Sequence, residues 1–182
     1  MLALSRLQDR RYGPATRTRR YAGMRIVMTD LHDILAPDAV LERVSAGTRK
    51  ALFQQLAAAA ANIYGLDAGI VQEAVASREK LGSTAFGGGV AIPHGKVPGL
   101  TQVRGVFARL AHPLDFDAVD DLPVDVVFML VSPPDAGATH LKALARVSRA
   151  LRDQLLVEKL RGAGSRDALV ALLTAEQVRD AA

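Results

Sequence analysis

The sequence predicts an α/β domain, a mixed β-sheet flanked by helices on both faces, and three observations carry that prediction. Residues 124–131 form a near-continuous apolar run, as expected for a strand covered on both sides. Two helix-periodic segments come before the β-like stretches and three come after them. The 182 residues, 49% hydrophobic and 23% charged, suit one soluble globular domain with a buried core.

Taken in order, residues 1–23 lack hydrophobic periodicity. They read either as a disordered basic arm or as an upstream misreading of a chain that starts at Met24, with residues 24–182 as a single domain. Ser45 is the expected N-cap of a helix over 48–64, whose stripe is Leu52, Leu56, Ala59 and Ile63 and whose stop is Gly65. Asp67 caps a second helix ending near Leu81, with Val71, Ala74, Val75 and Leu81 on its apolar stripe. Arg78 falls on that same stripe, a cation where an aliphatic side chain belongs. Strands are expected at 90–92, 103–110 and 124–131, the last closed by Pro133-Pro134. Helices over about 138–151, 153–161 and 165–173 complete the chain, the last two separated by Gly162 and Gly164.

Composition removes several function classes. With no cysteine, a disulfide framework, a thiolate metal site and a cysteine nucleophile are excluded, and a reducing cytoplasm is the expected compartment. No apolar run approaches the 18 or so residues of a membrane span. The arm has neither the apolar stretch nor the cleavage site of a secretory signal. Six of the 23 basic residues and one of the 19 acids lie in residues 1–23, leaving 17 against 18 in the rest. The basicity belongs to the arm, and with aromatics at 4% no nucleic-acid partner is expected. No histidine pair has helix-face ligand spacing, so no metal is expected.

The chemistry concentrates between Gly82 and Lys96. Gly87-Gly88-Gly89 leaves backbone amides able to approach an anion, yet the segment fits neither a Walker A loop nor the dinucleotide fingerprint. His94 stands between Pro93, which fixes its own φ, and Gly95, which removes steric cover. Its neutral imidazole is either a nucleophile able to form a phosphohistidine or a strand-end side chain satisfied by a carbonyl. His140 opens a helix and shares a stripe with Leu144, Val147 and Leu151, so it faces inward near a positive helix end, either as a donor or as a core-edge residue. Arg78, His94 and His140 together would supply a cation, a nucleophile and a donor for phosphoryl transfer. Alternatively Arg78 pairs with Asp125 in a structural ion pair. His32 and His112 read as incidental, His112 in a turn before Pro113, and Asp115, Asp117, Asp120 and Asp121 as solvated loop charges.

The stretch Arg78-Glu-Lys-Leu-Gly-Ser-Thr84, with Gly-Gly-Val-Ala-Ile-Pro-His94-Gly-Lys after it, resembles the active-site signature of the mannitol/fructose-type enzyme IIA proteins of the bacterial phosphotransferase system. Pro113-Leu-Asp-Phe-Asp-Ala, Pro123-Val-Asp-Val-Val-Phe-Met-Leu and His140-Leu-Lys-Ala-Leu-Ala match the same family, so the resemblance spans about residues 24–173. It implies the mannitol-type IIA sandwich. It also implies that His94 accepts phosphate, ultimately from phosphoenolpyruvate and without any cofactor, from a small histidine-phosphocarrier protein. Arg78 and His140 are then its functional neighbours, while Ser83, Thr84, Gly88, Gly89 and Gly95 shape the phosphate pocket.

Within the family the Ile-Pro-His94-Gly-Lys form, the Asp115-Phe-Asp-Ala segment and the free-standing single domain, with neither a permease nor a second carrier domain, look most like the nitrogen-regulatory branch. The resemblance therefore implies a monomer or weak dimer that regulates target proteins of nitrogen, potassium or carbon metabolism by its phosphorylation state. A sugar-specific IIA passing phosphate to a separate permease, and a binding module with no phosphoryl chemistry, are the alternatives. Ala85-Phe86 departs from the more usual Gly-Ile and puts partner choice in question more than phosphorylation.

Overall fold

The computed structural model describes residues 31–174 and two short strands, β1 (Ile26–Val27) and β8 (Gln177–Val178), which pair antiparallel. The arm expected at residues 1–23 lies outside the described residues. Between these strands the order is β2 (Leu35–Val44), α1 (Arg49–Tyr64), α2 (Ala68–Glu79), β3 (Ala85–Gly87), β4 (Val90–Ala91), β5 (His94–Lys96), β6 (Arg104–Leu114), β7 (Val124–Ser132), α3 (Gly137–Leu151), α4 (Gln154–Gly162) and α5 (Arg166–Thr174).

Six strands form one mixed sheet. β2 runs parallel to β6, β6 antiparallel to β7, and both β4 and β5 lie parallel to β7 along its other edge, with β3 antiparallel to β4. β7 is buried at every position but Asp125, which requires cover on both faces. One cover is the α1–α2 pair, which packs on β2, β5 and β6; the other is the α3–α4–α5 chain, which packs on β7 and β2. The sheet admits the Phe128 ring only because Gly105 faces it: a Cβ there would stand 2.6 Å from two ring carbons.

Several local expectations are corrected. Thr48, not Ser45, caps α1: its Oγ1 accepts from the Ala51 N–H at 3.1 Å, while the Ser45 carbonyl accepts from Gln55 Nε2. α2 stops at Glu79, and Leu81, expected on the buried stripe, is 84% exposed, because the chain turns there to bring Glu79 inward. β2 was not expected. Its exposed pairs Pro37-Asp38 and Glu42-Arg43, two register shifts and Arg43 at φ 56 break the two-residue alternation by which a strand is recognised. His112 and Pro113 lie in the exposed outer end of β6 rather than in a turn.

The glycine run is a hairpin joining β3 to β4. Gly88 and Gly89 have φ of 65° and 75°, the backbone a two-residue primed turn needs. One of its amides is already engaged: the Gly88 N–H donates to Asp120 Oδ2 at 2.7 Å, while the Gly88 carbonyl accepts from Arg161. Asp120 is thereby no bare loop charge, and this hydrogen bond, the largest influence on it, holds its carboxyl below the usual range.

Candidate functional site

Three elements bring three side chains together. α2 carries Arg78 in its last turn and packs on β5, which begins at His94. Parallel pairing sets His94 opposite Leu130 and Lys96 opposite Ser132 on β7, and the chain leaving β7 enters α3, whose first turn holds His140. Gly95 makes the approach of α2 possible, since a Cβ there would lie 2.9 Å from the Ala74 carbonyl carbon. The sequence had suggested instead that this glycine uncovers the imidazole.

The hydrogen bonds define the state of His94. Its Nδ1 lies 2.8 Å from the Ile92 carbonyl oxygen. A carbonyl only accepts, so Nδ1 carries the hydrogen and Nε2 keeps a lone pair. The Arg78 Nε–H donates to that lone pair at 3.1 Å, while Arg78 Nη1 is anchored on the Gly82 carbonyl at 2.9 Å. Burial, the largest influence, lowers the His94 pKa; the Ile92 carbonyl opposes this and the Arg78 charge adds to it. The ring is therefore neutral at pH 7 with a nucleophilic nitrogen beside a fixed cation.

His140 is 9% exposed, and its ring centroid lies 5.5 Å from that of His94 with the planes tilted by 46°. Its Nδ1 is 2.8 Å from Oγ of the fully buried Ser132. Burial, followed by His94 and Lys96, lowers its pKa as well. No side chain caps the N-terminus of α3, so the positive end of that helix is available beside His140.

The loop before β3 is tied from inside. The side chain of Glu79 accepts from the Thr84 N–H through both oxygens and from Thr84 Oγ1 at 2.6 Å. Ser83 Oγ donates to the Phe116 carbonyl. Ser83 and Thr84 thus hold the segment that anchors Arg78, and their hydroxyls are already committed. Gly88 and Gly89 contact Asp120, Asp125 and Arg161 instead of the histidines. The alternative ion pair of Arg78 with Asp125 does not form, because Asp125 pairs with Arg161 at 2.7 Å. Asp117, read as a solvated charge, meets Arg49 at 2.6 Å.

Sequence reasoning missed Glu79 and Ser132. Glu79 lay inside the quoted motif beside Arg78, and Ser132 is the lone polar residue closing an apolar strand; in both cases the partner is visible only in the fold. Among the described residues, no group of three or more His, Cys, Asp or Glu side chains could hold a metal ion, and no helix is long and apolar enough to cross a membrane.

A profile described as "Phosphoenolpyruvate-dependent sugar phosphotransferase system, EIIA 2" matches residues 33–176. The chain is 49% identical over 141 residues to a nitrogen regulatory protein of Bradyrhizobium diazoefficiens, covering 78% of this chain and 92% of that one. The crystal structure of the nitrogen regulatory protein IIA-Ntr from Neisseria meningitidis superposes with a TM-score of 0.74 at 34% identity, over 79% of this chain and 99% of that one. IIA mannitol from Escherichia coli shares the fold, with a TM-score of 0.65 at 22% identity over 76% and 97% of the two chains.

Proposed function

This chain belongs to the EIIA 2 family of the phosphoenolpyruvate-dependent sugar phosphotransferase system, and from that premise we propose that it is a regulatory phosphoryl carrier with His94 as the acceptor. The observation that carries the reading is the pair of hydrogen bonds on His94, with the Ile92 carbonyl holding the proton on Nδ1 and Arg78 lying on the free Nε2.

The donor is a phosphohistidine on a small phosphocarrier protein. The Nε2 lone pair of His94 forms a bond to phosphorus as the donor's P–N bond breaks, and the departing imidazole keeps that electron pair. His94 retains its Nδ1 hydrogen, and the positive charge gained by the ring is shared with the Ile92 carbonyl. Arg78 must leave Nε2 as phosphorus arrives, and its guanidinium, still tethered at Gly82, then faces the phosphoryl oxygens. His140, neutral because its pKa is lowered, can offer a ring N–H to a phosphoryl oxygen, and the uncapped start of α3 adds positive potential there. No cofactor takes part in this scheme; the phosphate comes ultimately from phosphoenolpyruvate. Leu81 and Leu141, both exposed and each within three residues of a site side chain, suit docking of a protein donor.

The regulatory output rests on the likeness to nitrogen regulatory proteins: the doubly negative phosphoryl group makes or removes contacts with target proteins. To test it, the protein is phosphorylated from phosphoenolpyruvate through the general phosphotransfer proteins, then offered to a sugar-specific carrier domain. Phosphate retained on His94 supports regulation. Rapid passage to the sugar-specific domain would make the chain a transport component instead, and no uptake at all would leave a binding module.

A further inference from the structure

Between α1, α2 and the loop that follows α2 lies an open cleft of about 880 Å³ that the phosphoryl chemistry does not use. Phe53 and Ala76 give it an apolar lining, and Arg49, Lys50 and Lys80 bring three cations to it. Three carboxylates face it too, and each is engaged. Glu73 accepts from Ser77 Oγ at 2.9 Å, Glu79 holds Thr84, and Asp117 meets Arg49 at 2.6 Å. Lys50 and Lys80 have no carboxylate partner among the described residues.

Asp117 points to the ligand chemistry. It is exposed, it adopts φ 50, and it comes from the loop after β6 to lie on Arg49. A carboxylate of the chain itself thus occupies one of the cations, which demonstrates a geometry suited to an oxyanion. The cleft volume lies in the range of small-molecule sites, roughly 300–1,000 Å³. We propose that this cleft binds a small organic oxyanion, a single carboxylate or phosphate on an apolar body, with its charge among Arg49, Lys50 and Lys80 and its body against Phe53 and Ala76.

The consequence rests on the phosphoryl-carrier reading. The cleft wall at residues 79–83 is the segment that fixes Arg78: Glu79 clamps Thr84, and the Gly82 carbonyl anchors the guanidinium that lies on His94. Arg49 also stands 3.9 Å from Glu79. An occupant that displaces Asp117 from Arg49 therefore acts on Glu79, and through it on the placement of Arg78 and the rate at which His94 is phosphorylated. By linkage, the free and phosphorylated forms bind the occupant unequally.

The test is a titration of the 15N-labelled protein with phenyl phosphate and with phenylacetate at fixed ionic strength, following the backbone amides of wild type and the Lys50→Ala/Lys80→Ala variant. The expected result is saturable shifts centred on Gly69, Ala76 and Gly82, with affinity about tenfold weaker in the double variant. Tighter phenyl phosphate identifies a phosphate ester as the ligand class, and tighter phenylacetate a carboxylate. Absence of saturation by either probe up to about 10 mM, shifts unaltered in the double variant, or shifts centred on Gly95 and His140 would overturn the proposal. The double variant must still be phosphorylated on His94 at the wild-type rate without probe, which certifies its fold. A saturating probe changes that rate in wild type, and the double variant needs about tenfold more probe for the same change; an unaltered wild-type rate would overturn the coupling. Binding without His94 phosphorylation would defeat the carrier reading and leave the cleft standing, and phosphorylation without binding would do the reverse.

Discussion

At the scale of single residues, the chemistry depends on where one proton sits. The Ile92 carbonyl holds it on Nδ1 of His94, and Arg78 can lie on Nε2 only because that nitrogen is bare. Arg78 spans two anchors, the Gly82 carbonyl and the imidazole, which a lysine with one charged nitrogen cannot do in the same geometry. Both Arg78→Ala and Arg78→Lys are expected to slow single-turnover transfer from the phosphorylated carrier by about a hundredfold while leaving His94 the acceptor. Equal rates in all three proteins would show the arginine to be structural. Arg78, His94 and His140 were legible because a cation and a histidine each interrupt an apolar stripe and a glycine-flanked histidine invites attention. Glu79 and Ser132 were not, since a carboxylate at a helix end and a serine at a strand end are ordinary surface features until their buried partners, Thr84 and His140, are known.

At the scale of elements, the site depends on how closely α2 lies on β5. Gly95 sets that distance, and Gly95→Ala would press a methyl group to about 2.9 Å from the backbone of Ala74. The variant is expected to lose about 1–3 kcal/mol in urea denaturation, as overpacked sites do, and to transfer phosphate more slowly because Arg78 and His94 ride on the two displaced elements. A stable protein with normal transfer would contradict this role. The helices and the central strand were legible from periodicity and from one apolar run. β2 was not, because its bulges destroy alternation, and the cost of its polar face is met by partners far away in sequence, such as Arg166 on the Pro37 carbonyl. Arg109 presents the same problem inside β6: it donates to the carbonyls of Leu160 and Arg161 in the last turn of α4 and to that of Ala163 just after it, which no local pattern announces. The glycine run is only partly legible for a related reason, since the anion that the Gly88 N–H meets is the chain's own Asp120, distant in sequence.

At the scale of the whole molecule, burial of two imidazoles links folding to pH. Both His94 and His140 have pKa values below the ordinary 6.5, so in the window beneath it the unfolded chain binds more protons than the folded one. Stability from this source is complete above about pH 6.5 and is lost as pH falls toward the lowered folded values. The melting temperature is therefore expected to fall between about pH 7.5 and 5.5, and a His94→Asn/His140→Asn variant to show a shallower slope there. Identical slopes would mean that the imidazoles titrate as free groups. The rate of phosphate uptake follows the same neutral fraction and is expected to stay level from about pH 8 to 7, where both rings are uncharged.

The assignment of His94 is tested most directly by intact-protein mass spectrometry under mildly alkaline conditions, after incubation with phosphoenolpyruvate and the general phosphotransfer proteins. Wild type and His94→Ala are run side by side, with a known IIA protein as the positive control. The account predicts one acid-labile phosphoryl group on wild type and none on the variant. A phosphoryl group on the variant, or none on wild type while the control is modified, would contradict it.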